Sequence, residues 1–425
     1  MDADPAESAA PITRRQAGLV AFASVLAAAS NFVLMFAGTR TLSSEAATEY
    51  LAFWSLLTGM FGVVSGVQNE STRAVGAVAQ GRAAGVRMIA PALAVGGIVA
   101  AAIVLFSPVL AARVVPLSAS VALPALVLVT VAYAAYVTLV GSFGGRGWWT
   151  HYAALMGGEV VWRMALVGAA VAWGATLGRL ELALAGATTI LLIFLAAPRS
   201  RSAITSRADA GFRRILRQCG LAVLSTSCTA LLITAYPAIL KAANHGDDAL
   251  LLGGLMLAIS LTRAPILMPL TAFQGVAIRT FLEHRDAPLR ALAKPAGALL
   301  ALGLVGGAAA WFVGPWFLPL FGQPYPIPGW VFFALTFSSA FMGILTLLGT
   351  LVLALDAHLV YAGGWLAASV VALGLLVGPF DLTLRAVSSL ALGPLGGCAV
   401  MLAWLMWSAR TGQPSRKTTP MPDRG

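Results

Sequence analysis

Charge is what this chain has least of. Only 10% of its 425 residues are charged and only 16 are acidic, where a soluble domain carries about 25% charge. With 59% hydrophobic residues and a mean hydropathy of +0.87, that scarcity excludes a water-soluble globular protein. Such an apolar surplus needs hydrocarbon as its solvent. The three cysteines, Cys219, Cys228 and Cys398, lie in or beside apolar segments without CxxC or Cys/His spacing, which argues against a disulfide framework or zinc and for small packing residues. No HExxH, GxSxG, Walker A or acid-rich metal loop is present, and His151, His245, His284 and His358 are isolated at loops. No cofactor is expected, the chain does not read as an enzyme, and ATP-driven export by this chain alone is excluded. The stretch Met1–Pro11 carries Asp2, Asp4 and Glu7, which does not suit the basic start of a cleaved signal peptide. The first hydrophobic segment is therefore expected to be a retained helix.

What is present is a succession of apolar runs. Spans are expected at 17–39, 48–69, 88–107, 121–143, 153–175, 181–198, 217–240, 249–272, 295–314, 329–353, 358–378 and 384–408. Each must be helical, because lipid cannot hydrogen-bond a backbone and the runs lack the alternation of barrel strands. The fold class expected is an all-α polytopic membrane protein of about 12 transmembrane helices, in two six-helix bundles around a central cavity. The parts are a tail at 1–16, bundles at 17–198 and 217–408, a linker at 199–216 and a tail at 409–425. With both termini in the cytoplasm, 20 of the 27 Lys and Arg fall inside, as the positive-inside rule asks. The net charge of +11 is thus mostly a topology signal directed at membrane lipids, and nucleic acid is excluded as a partner. A bacterial plasma membrane is the expected location.

The chain also resembles itself. One gapless offset of 206 residues sets Gln68 on Gln274, Arg73 on Arg279, Gly157-Gly158 on Gly363-Gly364, Gly168 on Gly374 and Arg179 on Arg385. Gln and Arg are scarce here, so the matches point to duplication, with halves related by a pseudo-twofold axis along the bilayer normal and substrate between them. The plainer reading of the glycines is as close-contact points between helices.

Polar groups inside spans are few, and each costs at least about 2.5–3.5 kcal/mol if charged. Glu159 and Arg163 are four apart on one helix face, either as a structural ion pair or as a contact to substrate or gate. Arg263, in span 8, has no acid at helical spacing. Its guanidinium suits an anionic ligand such as phosphate, the alternative being an acid from another helix such as Glu159. Gln68, Arg73, Gln274 and Arg279 sit at the inner ends of spans 2 and 8, as plain basic anchors or as an inner gate, with Glu70 placed to latch the halves. Asn31, beside Ser24 and Ser30, is a candidate to meet a sugar or a neighbouring helix. Pro237, Pro265, Pro269 and the run from Pro315 to Pro328 are expected to break or kink their segments. The outer-loop acids Glu45, Glu49, Asp247, Asp248 and Asp381 read as solvated caps, since those loops are too short for a sugar-binding domain.

Twelve helices with both ends inside, two equivalent halves and the stretch SNFVLMFAGTRTLSSEAATEYLAFWSLLTGMFGVVSGVQNESTRAVG, with Tyr50, Phe53 and Trp54 opening span 2, then Gly66 and Arg73, resemble one family. It is the multidrug/oligosaccharidyl-lipid/polysaccharide (MOP) exporter superfamily, in its polysaccharide-biosynthesis branch of Wzx-type flippases. The resemblance implies a V-shaped cavity between helices 1–6 and 7–12 that opens to either side in turn. It also implies export of a polyprenyl-diphosphate-linked oligosaccharide for the cell envelope, alongside polymerases or glycosyltransferases of the same pathway. Substrate-binding would fall to Arg263, Arg163, Glu159 and Asn31. Drug and cation exporters of the superfamily place acids in the cavity, and spans 1, 2, 7 and 8 show none but Glu70. The peptidoglycan-precursor flippases are similar but have two further helices. The alternatives are such a cation exporter and an integral glycosyltransferase or polymerase acting on lipid-linked sugars.

Overall fold

A computed structural model describes residues 14–244, 246, 248–283, 288–355 and 357–411, without the side chains of 14–17, 20–21, 28, 268–269, 271–283, 288–289, 358 and 409–411. The described residues are almost wholly helical. In chain order the helices are α1 (Arg14–Thr41), α2 (Ser44–Ala79), α3 (Ile89–Arg113), α4 (Ala119–Gly145), α5 (Trp149–Ala172), α6 (Leu177–Ala185), α7 (Ile190–Leu195) and α8 (Pro198–Ile204). They continue with α9 (Phe212–Ile233), α10 (Tyr236–Ala243), α11 (Ala249–Glu283), α12 (Pro288–Phe317), α13 (Gly329–Ala354), α14 (His358–Leu376) and α15 (Leu382–Thr411). Twelve helical stretches among the described residues are long and apolar enough to cross a membrane. No strand occurs among them, only an isolated antiparallel bridge between Arg87 and Arg207.

Several boundaries differ from the sequence expectation, each for a physical reason. Span 2 runs on to Ala79 because Gln68, Glu70 and Arg73 find partners in Tyr152, Asp209 and Gln218 and in one another that hold the helix beyond its apolar stretch. Span 6 is not one helix. It breaks at a 3₁₀ turn, Gly186–Thr189, where the Thr188 and Thr189 hydroxyls donate to the Ala185 and Gly186 carbonyls at 3.2 and 2.7 Å and so compete with the helical ladder. Span 7 stops at Ile233, and Pro237 opens α10 within its first turn, where its missing N–H costs nothing. Pro265 is accommodated within an unbroken α11. Pro315 falls inside α12 two residues before its end, and α13 begins only at Gly329.

By packing, the described residues form two compact units, those within 1–257 with 318–326, and those within 258–317 with 327–425. In the first, α2 is central and packs along α4 and α9, while α5 packs on α1 and α6. In the second, α12 packs on α13, and α15 on α13 and α14. Helix α9, expected in the second bundle, packs on α2 and α3 of the first unit. Gly66 permits this closeness, since a Cβ there would stand 2.5 Å from the Val223 nitrogen and 2.6 Å from the Ala222 carbonyl carbon. The Thr226 hydroxyl donates to the Val63 carbonyl at 2.8 Å and the Ser55 hydroxyl to the Thr234 carbonyl at 2.7 Å, which stitches the same seam. Phe22, Leu105, Leu128, Phe312 and Trp316 are exposed, as suits surfaces whose solvent is lipid.

Candidate functional site

The first unit buries an ion pair at membrane depth. On α5, the Arg163 Nε donates to Glu159 Oε1 at 3.0 Å, and its Nη2 closes a second bond to the same oxygen. The guanidinium lies over the Trp54 ring of α2, 5.2 Å from its centroid. Both residues are largely withdrawn from the surface, Glu159 at 5% and Arg163 at 9% exposure. Tyr133 of α4, stacked on Phe61 at 3.9 Å and on Tyr136 at 5.3 Å, stands within the field of both charges. The helical spacing of four residues is thus realised as contact, and the pair has an aromatic surround.

At one end of α2 the geometry is a charge network. Arg73 donates through Nε and Nη2 to the two Glu70 oxygens at 2.9 and 2.6 Å. It also donates to Asp209 at 3.0 and 3.1 Å and to Gln218 at 3.2 Å, and Arg82 reaches the same Asp209 at 3.3 Å. The Arg73 bonds hold the Asp209 carboxyl below its ordinary value. Glu70, expected to latch the two halves, instead spends both oxygens on its own helix. Asp209 belongs to the linker, whose backbone also pairs with 85–88: the Gly85 N–H donates to the Ala208 carbonyl at 2.6 Å and the Met88 N–H to Ser206 at 2.9 Å. The linker is therefore fastened to the first unit. Gln68 donates to the Tyr152 hydroxyl at 3.1 Å. The side chains of Gln274 and Arg279, expected as its gate counterparts, lie outside the described residues.

At the other end of α2 stands a second cluster that spacing did not reveal. Glu49, expected to be a solvated cap, is fully buried. Its carboxylate accepts from the Leu117 and Ser118 N–H groups at 3.0 and 2.8 Å and from the Ser118 hydroxyl at 2.7 Å, and Lys241 Nζ lies 3.5 Å away. The same Ser118 oxygen is 2.8 Å from Glu181 of α6, also fully buried. Burial pushes the Lys241 ammonium below its ordinary value against the pull of Glu49. Residues 49, 118, 181 and 241 come from α2, the turn before α4, α6 and α10, so only folding brings them together.

In the second unit, Arg263 is 7% exposed and sits in a tight gap, with no room for a water molecule, lined by Thr262, Ser338, Ser339, Leu335, Met342 and Leu390. The Thr262, Ser338 and Ser339 hydroxyls donate to the Ala258, Ala334 and Leu335 carbonyls of their own helices at 2.7, 2.6 and 2.9 Å. Arg263 lies fourteen residues into α11, about 21 Å along its axis. Asn31 is half-buried on α1.

The repeat-related residues can be compared unit by unit. Arg179 donates to the Trp173 and Gly174 carbonyls at 3.0 and 2.8 Å, capping the end of α5, and Arg385 donates to the Leu376 carbonyl at 3.2 Å, capping α14. Gly168 and Gly374 have no neighbour within 4 Å of a would-be Cβ, so neither is a close-contact glycine. Gly157 and Gly158 instead line an apolar groove of about 620 Å³ in the first unit, with Phe22, Leu26, Val161 and Trp162.

No family model matches the chain. The chain is 33% identical over 401 residues to the uncharacterized protein Rv1510 of Mycobacterium tuberculosis, covering 93% of this chain and 92% of that one. It is 30% identical over 407 residues to the uncharacterized protein Rv3630 of the same organism, with the same coverage. Among solved structures it is similar to a multidrug resistance MATE family transporter of the MOP superfamily in its inward-facing conformation. That match has a TM-score of 0.63 at 14% identity, over 93% of this chain and 96% of that one. It is similar also to a MOP superfamily transporter from Pyrococcus furiosus noted for the reverse polarity of its binding pocket. Here the TM-score is 0.62 at 15% identity, over 95% and 96% of the two chains. These likenesses establish the fold.

Proposed function

Since the chain belongs to the family of the mycobacterial proteins Rv1510 and Rv3630 and has the fold of MOP-superfamily transporters, we propose that it is an alternating-access flippase for a lipid-linked (polyprenyl-diphosphate) oligosaccharide. The cargo moves from the inner to the outer leaflet of a bacterial plasma membrane, and no covalent bond of the cargo changes. The observation that carries this reading is Arg263, buried at membrane depth among the hydroxyls of Thr262, Ser338 and Ser339. A guanidinium offers fixed, paired donors to phosphate oxygens and keeps its charge without water. The Thr262, Ser338 and Ser339 hydroxyls, which donate to carbonyls of their own helices, would turn to donate to the diphosphate oxygens when it binds.

Two further features support the reading. The groove beside Gly157 and Gly158 is lined mainly by apolar residues of α1 and α5, which suits the prenyl part of a lipid carrier. Glu159 and Glu70 are committed to arginines and Glu49 to Lys241, which leaves these three acids ill suited to hold a cationic drug. The matched roles of Arg179 and Arg385 support an internal duplication, with α9 held by the first unit. In this reading Arg163 and Glu159 keep α5 against Trp54, and Arg263 holds the headgroup.

The test is reconstitution. Purified protein in liposomes with labelled polyprenyl-diphosphate oligosaccharide is expected to carry headgroups across with their mass unchanged. A changed mass identifies a glycosyltransferase or polymerase. Movement of a cationic dye in place of the lipid-linked sugar identifies a drug exporter.

A further inference from the structure

The cluster at the Glu49 end of α2 contains a hydrogen atom that its bonding demands. A serine hydroxyl has one hydrogen to donate. Ser118 Oγ nonetheless lies 2.7 Å from Glu49 Oε1 and 2.8 Å from Glu181 Oε1. Both contacts are hydrogen bonds only if one carboxyl carries a proton and donates to the serine, while the serine donates to the other. Two bare carboxylates would leave one contact as repulsion between an anion and a lone pair.

The surroundings decide which acid holds it. Glu49 accepts two backbone N–H groups and has Lys241 at 3.5 Å, and each of these favours its charged form. Glu181 has neither. Its Oε1 touches Ser118 alone, and its Oε2 has no hydrogen-bond partner among the described residues although the side chain is fully buried. An ionised carboxylate with one oxygen bare in such a place is far costlier than a neutral acid. The other ionisable groups facing the site are accounted for. The Tyr50 hydroxyl of α2 donates to the Leu34 carbonyl at 3.0 Å, Arg179 on α6 itself is engaged with carbonyls at the end of α5, and Glu159 and Arg163 on α5 bind each other.

We propose that Glu181 is a proton-binding site, with the chain Glu181–Ser118–Glu49 as its hydrogen-bonded cradle and Lys241 as the counter-charge of Glu49. In the conformation described, the Glu181 carboxyl is a neutral acid donating to Ser118 Oγ. Loss of that proton to water puts two anions around one hydroxyl with a single ammonium to balance them. The join among α2, α4, α6 and α10, all of which this cluster links, then loosens. The site's ligand is a proton and its occupancy is a property of the first unit, independent of which cargo is carried.

Infrared spectroscopy of the purified full-length protein in lipid nanodiscs at pH 7 tests the assignment. A protonated-carboxyl C=O band is expected that shifts in D₂O, vanishes in Glu181→Gln and survives in Glu49→Gln. No such band in the unaltered protein overturns the proposal. So does a band that survives Glu181→Gln, or one that vanishes only in Glu49→Gln. If Glu181→Gln does not fold, Ser118→Ala replaces it: the band then moves to higher frequency as the acid loses its acceptor, and a band that stays in place overturns the proposal.

Discussion

Glu159→Gln isolates the most exacting electrostatic element of the first unit. In the folded protein the Glu159 carboxylate takes two bonds from Arg163, which is 9% exposed and otherwise faces the Trp54 ring. Glutamine keeps the shape and removes the charge. Breaking a buried pair by neutralising one partner costs about 3–5 kcal/mol, and leaving an arginine at mid-span costs about 2.5–3.5 kcal/mol on insertion scales. The cation–π contact with Trp54 exists before and after and cancels. The two scales meet near 3 kcal/mol, or about a 150-fold loss in the folded ratio. At roughly 2 °C per kcal/mol for a chain of this size, the midpoint should fall by about 6 °C. Thermal unfolding in detergent, followed by size-exclusion of the surviving monodisperse protein, reads that shift. The double variant Glu159→Leu/Arg163→Met removes both charges and should recover most of the loss, since an apolar replacement of a buried pair is often neutral or better. A single variant within about 1 °C of the parent, or a double variant as damaged as the single, refutes the reasoning.

Three further outcomes follow from the same geometry. Gly66→Ala should loosen the α2–α9 seam, because its Cβ would meet the Ala222–Val223 backbone below 3 Å. Overpacking of this kind costs about 1–3 kcal/mol. Gly220→Ala on α9, with nothing within 4 Å of its Cβ, should be neutral or stabilising by up to about 1 kcal/mol, and equal Tm values for the two would contradict the seam. Asp209→Asn should cost about 1 kcal/mol at neutral pH, modest because Arg73 is half-exposed. Because the Asp209 carboxyl is held below its ordinary 3.8, its contribution is present above that value and is lost as pH falls through the lower, folded one. The Tm gap between Asp209→Asn and the parent should therefore close at acid pH, and a gap that widens there would contradict the pairing.

How much was legible in the chain depends on the range over which residues act. Spans are written in local hydropathy, so all twelve were readable, and the Glu159/Arg163 pair is written in a spacing of four. The break of span 6 turns on Thr188 and Thr189, whose effect is a competition for carbonyls that composition averages away. Glu49 resembled a solvated cap because it begins a span beside polar neighbours. Its burial depends on Ser118, Glu181 and Lys241, each more than sixty residues distant. Asp209 was hidden in a linker read for its basic charge, and only the pairing of 85–88 with 206–210 brings it to Arg73. The one usable signal was an acid amid arginines. Helix α9 carries the small and hydroxyl residues Ala222, Thr226 and Ala230 that meet α2, but small residues are so common in this chain that the pattern does not stand out.

The central claim is that Arg263 holds an anionic headgroup. It is tested most directly by the flipping rate of a labelled polyprenyl-diphosphate oligosaccharide in liposomes containing either the parent protein or Arg263→Ala, matched for folded protein. Losing a charge-assisted bond to phosphate costs about 2–3 kcal/mol, so the rate should fall about 30- to 150-fold. An unchanged rate in Arg263→Ala would contradict the account.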